Sequence, residues 1–253
     1  MSILTVPNKE FQKDIALKNF AMLPFDKPVV FSHEHLSGNP HGFKIPPNQY
    51  DIAKNLHSIF PQAKILIIVR EQLSWLLSMY TYDVTVKGNP IGGLKAMISN
   101  MLENNIEEKI CYDRLLKHYI RLFGSNSVLV IPLEQLRFEV HLKNISRIID
   151  CDITFLKTKE KINRSVKSAR VLNIAEKLNN LRIDHKIPKS IKTPYRNARL
   201  KFYRILSLYF LERLTTDHLR GELSETFISI IAESNRRLEK LTNLNLKMSS
   251  YIL

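Results

Sequence analysis

An α/β fold with a mostly parallel sheet, running into a mostly helical C-terminal part, is the architecture this sequence predicts. Short β-branched runs alternate with helical stretches through the first 156 residues, the pattern of strands joined by helical crossovers. After residue 156 the strand-like runs stop, while apolar residues keep recurring at helical spacing. With 253 residues, 44% apolar and 25% charged, the chain is long enough for one large core and ordinary in composition. We read it as one domain over 1–253, with an α/β core at 1–156 and a basic helical part of the same domain at 157–253.

The first strand expected is Pro28–Ser32. The second, Lys64–Val69, is a continuous β-branched run of the kind that is buried on both faces of a parallel sheet. The third is Ser127–Ile131. Helices are expected over Asn48–Phe60, starting behind Pro46-Pro47, and over Leu73–Tyr82, Ile91–Leu102 and Glu107–Phe123. Gly124 ends the last of these, and Glu134–Ile149 follows the third strand. Beyond 156 the expected helices are Val171–Leu181, Arg196–Arg213 and Glu222–Leu241, with a basic loop from His185 to Pro194. Tyr195, Phe202, Tyr203, Tyr209 and Phe210 read as core residues of an amphipathic helix.

Charge is unevenly placed. Residues 1–156 hold 17 Lys and Arg against 15 Asp and Glu, a net of +2, whereas residues 157–253 hold 21 against 9, a net of +12. A segment this basic is suited to an anionic partner. No nucleic-acid-binding motif accompanies it, so nucleic acid is not an expected partner. The longest apolar run, Ile65–Val69, is far short of a membrane span, and the N-terminus lacks the basic start and apolar core of a secretory signal. The location expected is cytoplasmic, with peripheral contact at the inner membrane surface as a variant of it. Cys111 and Cys151 read as buried free thiols of a reducing compartment.

Ligands of an open parallel sheet sit at the carboxyl ends of its strands. Ser32-His33-Glu34-His35 ends the first strand, Arg70 the second, and Glu134 follows the third. A guanidinium at a strand end, the first amides of the next helix, and a hydroxyl on that helix (Ser74 or Ser78) could together hold a phosphate. The alternative for Arg70 is a surface pair with Glu71 or Glu134. Packing or surface roles are expected for His35 and the remaining histidines. Gly92-Gly93, with no strand leading into it, is not expected to cradle phosphate.

The stretch Pro61–Tyr80, in which the apolar strand ends in Arg70 and Ser78 follows eight positions on, resembles the 3′-phosphate-binding segment of sulfotransferases that use 3′-phosphoadenosine 5′-phosphosulfate. Glu71-Gln72 stands where that family often has Asn-Pro. Val30–Pro40 resembles the strand that delivers the catalytic His or Glu, Val128–Leu136 a strand ending in Glu-x-Leu, and Ser234–Leu238 with Leu244–Leu246 the closing helix of bacterial members. The resemblance runs from about residue 28 to the C-terminus. It implies a three-layer, parallel-sheet core of the P-loop nucleotide-transferase type.

It also implies a site. Arg70 and Ser78 would hold the 3′-phosphate, and Arg164, Ser165 and Lys167 would close a loop over the nucleotide. Glu34, or His33 beside it, would be the base that deprotonates the acceptor. The cofactor implied is 3′-phosphoadenosine 5′-phosphosulfate, with adenosine 3′,5′-bisphosphate as product and no metal. The partners implied are that sulfate donor and a hydroxyl or amine acceptor on a carbohydrate or small molecule, an anionic glycan or lipid head group among them. The family's first strand and its Pro-Lys-x-Gly-Thr-Thr phosphosulfate loop have no counterpart in the sequence. Activity of this chain is therefore expected to be weak or absent, and a non-catalytic anion-, nucleotide- or partner-binding module on the same fold is the alternative.

Overall fold

The structure is a computed structural model that describes residues 10–21, 29–32, 36, 49–89, 91–104, 106–136, 138–153, 168–181, 187–210 and 214–253. Over these residues it is mixed α/β and mostly helical, with a small parallel sheet of two strands. It divides into two compact units. The first comprises residues 1–70, 104–158 and 230–253, the second residues 71–103 and 159–229.

The first unit contains both strands. β1 (Ile65–Val69) pairs in parallel with β2 (Val128–Pro132), in a register that runs from Ile65 opposite Val128 to Val69 opposite Pro132. Helices α1 (Lys13–Phe20), α2 (Gln49–Ile59) and α6 (Tyr112–Phe123) pack in sequence, α1 on α2 and α2 on α6, and α6 lies against both strands. Ala16, Ile52, Ala53, Leu56, Tyr119 and Phe123 form the core between these helices. A second cluster joins Val69 and Val130 of the sheet to Leu116 of α6 and to Leu238, Leu246 and Tyr251 near the C-terminus.

Two expectations for the sheet are corrected. Residues 29–32 carry no strand: Val30 is 76% exposed, and Phe31 instead packs its ring against Phe20 and Phe60. An aromatic side chain that meets one ring edge-on (Phe20) and stacks on another (Phe60) gains more from that cluster than a four-residue segment gains from edge pairing. The β1 strand is also not buried on both faces, since Leu66 is 39% and Ile68 48% exposed while Val69 is buried.

Local chemistry sets the helix ends. The single helix expected over 107–123 is two, a turn at Glu107–Ile110 (α5) and α6, because Cys111 adopts φ −82°, ψ 77°, outside the helical region. Gly124 follows α6 with φ 80°, a conformation costly for any residue with a Cβ. Helix α7 (Glu139–Ile149) starts five residues later than expected because a single 3₁₀ turn, Leu133–Gln135, intervenes after β2. It ends on Asp150 in the left-handed region, where the amide of Asp150 still donates to Ser146 O.

The second unit is built around an irregular turn. Helix α3 (Gln72–Tyr82) runs directly into a π-helical turn, Asp83–Lys87, that Gly88 stops at φ 72°. Such wide turns are rare and occur mostly as single turns within α-helices. Here other helices serve the turn's carbonyls. Asn179 Nδ2 of α8 (Ala169–Asn180) donates to Val84 O at 2.8 Å and Asn89 O at 3.2 Å. Arg199 of α9 (Lys189–Tyr209) donates from Nη2 to Thr85 O at 3.3 Å and Val86 O at 3.2 Å. Helices α4 (Leu94–Glu103) and α10 (Thr216–Glu222) complete this unit, and α10 packs on α3. Helix α11 (Glu225–Thr242) is the last, and from residue 230 it belongs to the first unit.

Helix α9 corrects two further expectations. It starts at Lys189 and not at Arg196, so part of the expected basic loop is helical, with Pro194 inside it. Of its aromatic residues, Tyr203 is fully buried, but Phe202 is 50% and Tyr209 77% exposed. Neighbouring residues on a helix point about 100° apart, so Phe202 and Tyr203 cannot share one core-facing stripe.

Candidate functional site

Arg70 follows β1 immediately, as the strand-end position requires, and is half-buried. Its carbonyl accepts a 2.8 Å hydrogen bond from the Tyr112 hydroxyl of α6, which fixes the end of the strand against that helix. Ser78 lies on α3 and is also half-buried, on the same helical face as Ser74. The division between the two units falls between Arg70 and Glu71, so Arg70 belongs to the first and Ser78 to the second.

The N-terminus of α3 is not an open cradle of amides. Glu71 is buried, and its carboxylate accepts from Leu73 N at 2.9 Å and from Ser74 N at 2.6 Å. A carboxylate here completes the helix and answers its dipole, as a phosphate would have done. The expectation that these amides help to hold a phosphate is corrected on this point: a side chain of the same helix already occupies two of them. Glu71→Ala is expected to destabilise the protein by about 1 kcal/mol, read by chemical denaturation. An unchanged midpoint would mean that the cap contributes nothing.

The glycine pair shows the same chemistry. Gly92 and Gly93 have φ 81° and 98°, and Gly93 N donates to Glu176 Oε1 of α8 at 3.0 Å. Again a carboxylate takes the amide.

Of the remaining expected site residues, His33, Glu34, Arg164, Ser165 and Lys167 lie outside the described residues, as does His35. Glu134 accepts from the Tyr251 hydroxyl at 3.3 Å. His141 is buried, its Nε2 3.1 Å from Gln135 Oε1, and burial lowers its pKa. His118 lies edge-on to Tyr50 and is also shifted down by burial. Cys111 is buried, as expected, and its thiol is pushed up chiefly by that burial, whereas Cys151 is exposed, against expectation. Among the described residues no three His, Cys, Asp or Glu side chains gather as a metal site, and no helix is long and apolar enough to cross a membrane.

A buried polar centre that sequence reasoning missed lies in the first unit. Asp113 of α6 is almost fully buried and accepts from Ser234 Oγ at 2.6 Å and Arg237 Nε at 2.7 Å, both on α11, with Lys117 Nζ at 3.7 Å. Burial by itself would raise this carboxyl. The hydrogen bonds from Arg237 and Ser234 and the charges of Arg237 and Lys117 outweigh it and hold the pKa below the ordinary aspartate range. Arg237 also pairs with Glu233 at 2.5 Å, and Asn235 Nδ2 donates to Ile252 O at 2.8 Å. The motif Ser234–Leu238 thus fastens the C-terminal helix to α6. Its polar residues could be singled out in the sequence, but their partner 121 positions away could not.

Compared with family models, curated proteins and solved structures, the chain has no significant match among any of the three.

Proposed function

We propose that the chain is a sulfotransferase-type protein on a three-layer, P-loop-type core. In this reading it binds 3′-phosphoadenosine 5′-phosphosulfate and serves transfer of the sulfuryl group to a hydroxyl or amine of a carbohydrate or small-molecule acceptor. The observation that carries the reading is a parallel-paired apolar strand, β1, ending at Arg70, with helix α3 beginning two residues on and bearing Ser78. Arg70 would supply a cation and Ser78 a hydroxyl to the 3′-phosphate. When bound, the donor would supply an activated sulfuryl group that the acceptor attacks in line at sulfur, with adenosine 3′,5′-bisphosphate as the leaving group. Glu34, or His33, would take the acceptor's proton. Arg164 and Lys167 would neutralise the nucleotide's phosphates, and Ser165 would donate a hydrogen bond to them.

The fit of the residues to the donor is partial. A strand-end cation and a helix hydroxyl are present, while the first amides of α3 serve Glu71 and the amide of Gly93 serves Glu176. Two carboxylates at amides that could have met an anion support a second reading, a non-catalytic binding module on the same fold.

Titration calorimetry with adenosine 3′,5′-bisphosphate tests the first reading. Wild type should bind, and Arg70→Ala should bind about 10- to 150-fold more weakly, the loss of one charged phosphate contact at roughly 1.5–3 kcal/mol. No binding by wild type, or equal binding by both, removes Arg70 from any such site. Incubation with labelled donor and a panel of glycan acceptors then separates the two readings. Binding without transfer leaves the module, whereas transfer abolished by Glu34→Gln or His33→Ala identifies the base.

A further inference from the structure

Helix α9 carries an apolar seam that the described residues leave largely exposed. Ile191, Tyr195, Ala198, Phe202, Ile205 and Tyr209 follow one another at intervals of four and three, the heptad spacing of residues that meet another helix. The seam runs about 27 Å at 1.5 Å per residue. Ile191 is 54%, Phe202 50%, Ile205 47% and Tyr209 77% exposed. Part of it sinks into a groove of about 290 Å³, walled by Leu178 and Asn179 of α8 and by Tyr195, Ala198, Arg199, Phe202 and Tyr203 of α9. The groove is within the second unit.

Charge decides what fits. The helix has six basic residues, Lys189, Lys192, Arg196, Arg199, Lys201 and Arg204, and no acidic one. In the register set by the seam, Lys192 falls at an e position and Lys201 at a g position, so a lysine flanks the apolar stripe on each side, while Arg199, also at e, is held by the carbonyls of Thr85 and Val86. A second copy of α9 carries the same six cations and no carboxylate, so it offers these positions no opposite charge. A bilayer is flat and takes a broad apolar face. Here the stripe is narrow, and its middle lies in a concavity between two helices. A helix with apolar a and d residues and carboxylates beside them satisfies shape and charge together.

We propose that the α8–α9 groove is a docking site for an amphipathic helix of a partner protein with acidic residues flanking its apolar stripe. The test uses the full chain and a fluorescent synthetic helix of about three heptads, with Leu and Ile at a and d and Glu at e and g. Binding in the micromolar range is expected by anisotropy, weakening as salt is raised. Phe202→Asp changes a half-exposed residue at the centre of the seam and should weaken binding at least ~30-fold, with an unchanged far-ultraviolet circular dichroism spectrum. The double variant Lys192→Glu, Lys201→Glu should lose the Glu helix and gain a matched helix with Lys at e and g. Failure of the Glu helix to bind wild type, or indifference to both sets of substitutions, overturns the proposal. So does binding to vesicles rich in anionic lipid in place of the peptide, which makes the face a membrane surface. Dimerisation of the chain abolished by Ile205→Asp overturns it as well, since a second copy would then be the occupant.

Discussion

Asp113→Asn is expected to lower the stability of the protein by about 3 kcal/mol, because it removes a buried charge that three groups are arranged to meet. The substitution keeps shape but withdraws the acceptor from Arg237 Nε and weakens the bond from Ser234 Oγ. Arg237 is about one-third exposed and retains Glu233, which keeps the loss below that of a wholly stranded ion. Glu233→Gln is the control: Glu233 is largely exposed, and a surface pair contributes about 0.5 kcal/mol. Urea denaturation of the two variants separates them, and equal midpoints would mean that the buried bonds do not carry the stability.

The same residue sets a pH dependence. Its carboxyl in the folded protein lies below the ordinary value of 3.8. The stabilisation is thus fully present above the unfolded-state pKa and lost as pH falls through the lower folded value. Wild type should lose stability on acidification below about pH 4 more steeply than Asp113→Asn, which has no proton to take up there. Parallel acid limbs would show that other carboxyls dominate.

Asn179→Leu is the counterpart in the second unit, with an expected cost of about 2–3 kcal/mol. The side chain is buried, and its amide donates to the carbonyls of Val84 and Asn89, at the π-helical turn and just after it. Leucine matches its size but leaves both carbonyls without that donor, and a buried carbonyl stripped of its bond carries the desolvation penalty. Hydrogen exchange should accelerate most over residues 81–89, since the turn loses its tie to α8 before the rest of the unit opens. Asn180→Leu, at the exposed neighbouring position, should change stability by no more than about 0.5 kcal/mol. Similar exchange in both variants would dismiss Asn179 as the anchor.

Read from the sequence alone, the elements with a strong local pattern are the ones that stand. The β-branched run at 65–69 and the run at 128–132 are strands, and the helices over 49–59, 72–82 and 169–180 begin and end within a few residues of where capping and periodicity put them. Arg70 at a strand end and Ser78 on the following helix were legible for the same reason, since both follow from a strand-to-helix switch within twenty residues. Missed were α1 and α10, short helices with weak apolar periodicity that neighbouring helices stabilise.

What only the tertiary structure decided depends on long-range partners. Phe31 is drawn out of a strand by rings at positions 20 and 60, and Glu71 caps α3. Asp113 has no local feature that marks it. Its role comes from Ser234 and Arg237, more than a hundred residues on, brought to it by the packing of α11 against α6. The seam on α9 is the clearest case. Its spacing is plain in the sequence, but whether such a stripe is core or surface depends on which side of the helix its neighbours cover. Burial of Tyr203 on one side leaves Phe202 and Tyr209 to the solvent on the other.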